Sequence, residues 1–291
     1  MKPAPFEYSR PADIDEACAL LAADDGACVI AGGQTLVPLM AMRLARPSRL
    51  IDIARIPGLA YIRDEGQELA VGATTRQHVI ENDPLVRAKL PLLAKVMPFI
   101  GHTATRARGT VGGSIVNGDP AAEIVLVAAT LGATLVWRDG GENSTVAASD
   151  FFLGPMVTAL PLTACLAEAR FPIWSELRVG VGFHEVNARQ SDFAFVSAAA
   201  QIAIDSDGRC TRAAIGVGAA TAVPLTLDGV AQVLQGRRYD EAKVRDAIKT
   251  ELADVEPMAD LHASAEYRKR VAVTMAVRAI ADAYQHAARR P

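Results

Sequence analysis

Apolar positions recur at helical spacing in Asp13–Ala23 (DIDEACALLAA), with Asp13 placed to cap the N-terminus. Ala27–Ala31 is a short apolar run that predicts a strand leading straight into Gly32–Gly33. Leu36–Leu44 then predicts a helix whose first turn tolerates Pro38. Arg49–Ile53 (RLIDI) predicts a second strand, completing a β–loop–α–β unit. Tyr61–Arg63 and Glu68–Gly72 predict a hairpin about Asp64–Gln67. A helix from Thr75 stops at Pro84, and a longer helical segment spans Leu85–Ile100 with prolines at Pro91 and Pro98. The apolar run Ala121–Trp137 holds Glu123 and is too short to cross a bilayer comfortably, so it predicts a buried element. Ala133–Arg138 is a strand closed by Asp139–Gly140–Gly141, and Leu166–Phe171 another, ended by Pro172.

The pattern changes near Leu177. Strands at Gly182–Glu185, Phe193–Ile204 and Cys210–Val217 predict an antiparallel meander, turning at Asp205–Gly208. Helices at Asp240–Ala253 and Ser264–His286 follow. In the second, Tyr267, Val271, Met275 and Ile280 share a face, while Arg268, Lys269 and Arg278 form a solvated one. No internal repeat or low-complexity segment breaks the chain.

At 291 residues the chain has room for two domains and a sizeable core. A net charge of −3 gives no electrostatic case for nucleic acid or an anionic membrane. The N-terminal stretch has no apolar core of a secretory signal, which predicts a cytoplasmic protein without a transmembrane segment. The four cysteines, Cys18, Cys28, Cys165 and Cys210, lack C-x-x-C spacing and read as free buried thiols, so no metal site is expected in this chain.

Two glycine-pair loops carry the chemistry. Arg108–Glu123 (RGTVGGSIVNGDPAAE) combines Gly112–Gly113 with the hydroxyls of Thr110 and Ser114, Asn117, and the acid–proline corner Asp119–Pro120. Glycine reaches positive φ without steric cost, so such a loop can aim successive N–H groups into one concavity that binds an anion, usually phosphate. An acid such as Asp119 or Glu123 can accept from ribose hydroxyls. Val29–Leu36 (VIAGGQTL) has the same chemistry upstream, and the two together suggest one diphosphate gripped from both sides. A ligand-free tight loop competes with this reading. So does a Rossmann start with Asp52 as ribose acid, which the adjacent G-G spacing and missing third glycine disfavour. His102, just before the second loop, reads as a structural or hydrogen-bonding group. No nucleophile elbow, Walker loop or carboxylate pair stands out, so no catalytic acid, base or nucleophile is expected.

Ala31–Met40 (AGGQTLVPLM), Ile100–Glu123, Phe183–Val196 (FHEVNARQSDFAFV) and His262–Ala272 (HASAEYRKRVA), in this order, resemble the medium, FAD-binding subunit of molybdenum hydroxylases. This is the xanthine dehydrogenase family, with carbon monoxide dehydrogenase and bacterial N-heterocycle dehydrogenases. The resemblance implies an α+β fold: a two-lobed FAD-binding domain of the vanillyl-alcohol-oxidase (PCMH) type over 1–176, with lobes of about 1–57 and 58–176. A C-terminal domain over 177–291 would carry a three-stranded antiparallel sheet and helices. FAD would lie between the lobes. Val29, Ile30, Ala31, Gly32, Gly33, Gln34, Thr35 and Leu36, with Thr110, Val111, Gly112, Gly113 and Ser114, would hold its diphosphate. Asn117, Asp119, Glu123 and His102 fall near it. Ile100 would pack on the cofactor, Leu166 near the adenine, and Phe193 next to the flavin ring. Departures are Gln34, a histidine in some relatives, Val111, more often isoleucine, and the absence of a lysine around His184–Glu185.

The implied role is electron transfer. A large molybdopterin subunit would hydroxylate the substrate, a small subunit would carry [2Fe–2S] clusters, and FAD here would pass electrons to an external acceptor, in a dimer of heterotrimers. The alternatives are a stand-alone flavin- or nicotinamide-dependent oxidoreductase and a nucleotide-binding assembly subunit.

Overall fold

The computed structural model describes residues 2–290. The first lobe is a three-stranded parallel sheet built from β1 (Glu7–Ser9), α1 (Ile14–Ala22), β2 (Ala27–Ile30), α2 (Leu36–Ala41) and β3 (Arg49–Asp52), in the order β1-β3-β2. Asp13 caps α1 by accepting from the Glu16 N–H at 2.8 Å. Helix α2 is shorter than its apolar pattern predicts, because Arg43 turns to positive φ just beyond it.

The second lobe runs β4 (Ile62–Asp64), β5 (Glu68–Gly72), α3 (Gln77–Asn82), α4 (Pro84–Lys89), α5 (Pro91–Val96), a 3-10 turn at Met97–Phe99, α6 (Thr103–Arg108), α7 (Val111–Asn117) and α8 (Glu123–Leu131). It continues through β6 (Thr134–Asp139), β7 (Glu142–Ala147), α9 (Ala148–Phe151), β8 (Phe152–Gly154), β9 (Val157–Thr158) and β10 (Cys165–Pro172). Its antiparallel sheet has the order β4-β5-β10-β6-β7. Pro91 starts one new short element and Pro98 lies in the first turn of another, so the expected Leu85–Ile100 helix is three pieces. Helix α8 is buried along its whole length, as its apolar run predicts.

The C-terminal part comprises β11 (Val179–Val186), β12 (Val196–Ile204), β13 (Cys210–Gly218), β14 (Leu225–Thr226), α10 (Asp228–Leu234), α11 (Glu241–Glu251) and α12 (Ala265–Ala288). Three long antiparallel strands form the expected meander, and the short β14 extends it at one edge. One sheet face packs on α12. The other joins the second lobe's core, where Phe99 meets Phe183 edge-on with centroids 4.8 Å apart.

Arg268 corrects the solvated-face reading of α12. It is buried, and its guanidinium donates to the Phe195 and Ala219 carbonyls at 2.5 and 2.7 Å and to Asp260 Oδ2 at 2.5 Å. A helical wheel cannot see this, because the acceptors lie on distant loops.

Candidate functional site

A cavity of about 510 Å³ opens between the lobes, within the size range of cofactor pockets. Strand β2 supplies one wall, and the Ala31–Thr35 turn leads from it into α2. Gly33 has φ of +70°, which the turn requires and an L side chain resists. The Val37 N–H is satisfied by the Gly33 carbonyl at 3.0 Å. The N–H groups of Gly32, Gly33, Gln34, Thr35 and Leu36 find no intramolecular acceptor among the described residues. The Thr35 hydroxyl makes no cap bond either. Such a row of donors beside a cavity is an anion site.

The second loop is built differently, and here the structure corrects the sequence reading. Thr110 caps α7 and Gly112–Gly113 lie in its first turn with helical, not positive, φ. Their N–H groups are already engaged. Val111 N–H donates to Thr75 O at 3.0 Å, Gly112 N–H to Ala73 O at 2.9 Å, and Gly113 N–H to Thr110 Oγ1 at 3.1 Å. Gly112 is glycine because a Cβ would stand 2.6 Å from both the Ala73 carbonyl oxygen and Ala73 Cβ. The loop therefore offers side chains rather than N–H groups. Ser114 is one, and its Oγ accepts from Gln77 Nε2 at 3.0 Å, leaving its own proton free to donate.

Gly32 joins the two lobes. A Cβ there would stand 2.5 Å from the Arg108 carbonyl oxygen and 2.9 Å from Gly109 Cα. The two walls thus meet backbone to backbone at the cavity floor.

Carboxylates gather where α8 begins. Burial pushes the Glu123 carboxyl up to about 8, and the nearby Glu185 and Asp119 push the same way. Burial likewise raises Glu185, on β11, to about 7, and its Oε2 is buried without a partner among the described residues. Asp119 Oδ1 holds the Ala121 N–H at 2.9 Å.

Of the residues named from the sequence, Val29–Leu36, Ile100, Thr110, Gly112, Gly113, Ser114, Asn117, Asp119, Glu123, Leu166 and Phe193 line the cavity. Val111 is buried beside it in the core, and His102 is an exposed residue preceding α6; neither is part of the lining. Phe193 is 74 % exposed at the mouth. Asp52 is occupied elsewhere, accepting from the Tyr8 hydroxyl and the Ala54 N–H. Sequence reasoning missed Gln77, Cys165, Met156 and Asp192, which also line the cavity. They come from four separate segments, and Cys165 and Asp192 adjoin residues named from the sequence, Leu166 and Phe193.

The residues present fit an FAD. The free N–H row suits a diphosphate, the apolar wall of Ile30, Ile100 and Leu166 suits ring systems, and the protonated Glu123 can hydrogen-bond without adding charge.

Residues 4–174 match the FAD-binding domain of molybdopterin dehydrogenase, and residues 182–283 the C-terminal domain of the CO dehydrogenase flavoprotein. The chain belongs to this family of FAD-binding medium subunits of molybdenum hydroxylases, and is a flavoprotein subunit of an oxidoreductase. It is 33 % identical to the carbon monoxide dehydrogenase medium chain of Afipia carboxidovorans, over 96 % of this chain and 97 % of that one. It is 34 % identical to the caffeine dehydrogenase subunit beta of Pseudomonas sp. strain CBB1, over 97 % and 96 %. Its structure is similar to quinoline 2-oxidoreductase from Pseudomonas putida 86, with a TM-score of 0.93, 35 % identity and 99 % of each chain covered.

Proposed function

We propose that this chain is the electron-transfer subunit of a heteromeric molybdenum hydroxylase, taking electrons from [2Fe–2S] clusters of a small partner subunit and passing them to an external acceptor. A large partner subunit would hold the molybdenum–pterin centre and choose the substrate. The assembly we propose is a dimer of heterotrimers in the cytoplasm, with the chain divided into 1–176 and 177–291. No helix among the described residues is long and apolar enough to cross a membrane.

The observation that carries this reading is the row of free N–H groups from Gly32 to Leu36, which line the same inter-lobe cavity as Ser114. In our assignment that row holds the diphosphate of FAD and Ser114 adds a hydroxyl. Ile100, Leu166 and Phe193 pack on its rings, while Asn117, Asp119 and Glu123 meet its polar groups. Bound FAD supplies a centre that accepts single electrons and releases pairs. The chain's own task is to position it, exclude water from it and hold a proton at Glu123. Exposed apolar side chains lining the cavity, Met156 and Phe193, favour a partner covering that rim.

Anaerobic rapid mixing tests the reading. The FAD-loaded chain is mixed with its reduced iron–sulfur partner subunit and, separately, with NADH or small organic donors. Rapid bleaching of the flavin band by the partner subunit alone is expected. Steady turnover of the isolated chain with a small-molecule donor would transfer the weight to a stand-alone oxidoreductase.

A further inference from the structure

Cys18 lies on α1 of the first lobe and Cys165 opens β10 of the second, yet both belong to one apolar cluster with Ala17, Leu21 and Ile51. They are 4 % and 2 % exposed, and the two thiols are near enough to shift each other's ionisation. Cys18 Sγ also reaches the carbonyl of Arg138 at 3.2 Å, and Arg138 is the residue of β6 registered opposite Cys165. Cys165 in turn lines the inter-lobe cavity. Among the described residues, the other cysteines show no such pairing. Cys28 Sγ reaches only the Val29 carbonyl, at 3.6 Å, and Cys210 sits in the C-terminal core with its Sγ on the Arg212 carbonyl at 3.5 Å.

We propose that Cys18 and Cys165 form an oxidisable dithiol, a modification site that closes to a disulfide and clasps the two lobes together at the cavity wall. All four cysteines are free thiols here, so the structure shows the open form. The hydrogen bond from Cys165 holds the Cys18 thiol below its ordinary range, against its burial and the nearby Asp139 and Asp15. The same bond, with burial, pushes Cys165 well up. When one sulfur ionises, its neighbour can keep its proton and donate it to the thiolate.

The oxidant is a peroxide, and hydrogen peroxide serves as its simplest member. The Cys18 thiolate attacks one peroxide oxygen, the O–O bond breaks, and a sulfenic acid forms with loss of hydroxide, which takes up a proton to give water. Cys165 then attacks the Cys18 sulfur. The S–O bond breaks, the leaving oxygen takes the Cys165 proton, and a second water departs. The sum is two thiols and one peroxide giving one disulfide and two waters. A thiol reductant reverses it by exchange.

Peptide mapping of the full, reduced chain tests this. The folded protein is treated with hydrogen peroxide, then denatured in alkylating agent, digested and analysed by mass without reduction. A linked Cys18–Cys165 peptide is expected, with Cys28 and Cys210 alkylated, so that free thiols fall from four to two per chain. The linked protein should melt at higher temperature, and dithiothreitol should restore the original value. Cys165→Ser should instead leave a Cys18 sulfenic acid that dimedone captures. Four alkylated cysteines after peroxide, or links to Cys28 or Cys210 as abundant as the Cys18–Cys165 link, would overturn the proposal. The wild-type map decides the matter even if a variant folds poorly.

Discussion

Gly32 lies on the main chain of Arg108, so closely that a single added carbon would stand 2.5 Å from the Arg108 carbonyl oxygen. This is where the first lobe rests on the second, beside the N–H row that we assign to the diphosphate. Gly32→Ala should push the lobes apart there. We expect FAD affinity to weaken by about tenfold or more, which is about 1.4 kcal/mol, as read by flavin fluorescence during titration of the apoprotein. An unchanged affinity would mean that the lobes move freely at this point.

Gly112→Ala should behave differently. The added carbon would press on the Ala73 main chain, inside the second lobe. The expected cost is about 1–3 kcal/mol of folding stability, seen as a fall in melting temperature with and without FAD alike. Loss of FAD affinity with no loss of stability would return Gly112 to a direct role at the ligand.

Much of the architecture is legible in the sequence, for local reasons. Asp13, the β2–turn–α2 unit and the meander from β11 to β13 all follow from capping residues and apolar periodicity. The apolar run at α8 identifies itself as buried. What stays hidden depends on distant partners. Two adjacent glycines read as a loop, yet Thr110 and the main chain of Ala73 and Thr75 hold them in a helix. The polar segment Glu142–Ala147 has no strand-like alternation, but pairing with β6 makes it the edge strand β7. Arg268 has the pattern of a surface residue and the surroundings of a buried one. In the site, the motif-bearing turns are legible, while Gln77 and Cys165 enter the cavity only through tertiary packing.

Gln77 should tune the cofactor through Ser114. Its Nε2 donates to Ser114 Oγ, and its own Oε1 is buried without a partner. Gln77→Leu and Ser114→Ala should each weaken FAD by about 0.5–1.5 kcal/mol. The double variant should lose little more than either single one, since both act through one hydroxyl. Fully additive losses would separate the two residues.

Glu123 makes apoprotein stability depend on pH. Its carboxyl is raised to about 8 in the folded state, whereas an unfolded glutamate titrates near 4.3. Between those values the folded chain holds a proton that the unfolded chain releases. Stability should therefore be greatest below about pH 4.3 as far as this group is concerned, and fall as pH rises toward 8, by at most about 1.4 kcal/mol per unit. Glu185 contributes in the same sense up to about 7, more weakly because it is partly solvated. In urea melts of the apoprotein, Glu123→Gln should flatten the slope, and an unaltered slope would remove Glu123 from the account.

Arg268→Met should destabilise the C-terminal part by roughly 2 kcal/mol or more, because the Phe195 and Ala219 carbonyls lose their buried donor. Chemical denaturation would show it as a lower midpoint. An unchanged midpoint would mean that water replaces the guanidinium.

The absorption spectrum of the purified chain, with the released cofactor identified by mass, tests the central claim most directly. Oxidised-flavin bands and about one FAD per chain are predicted, with the bands lost on unfolding. A colourless, folded chain that takes up no added FAD would contradict it.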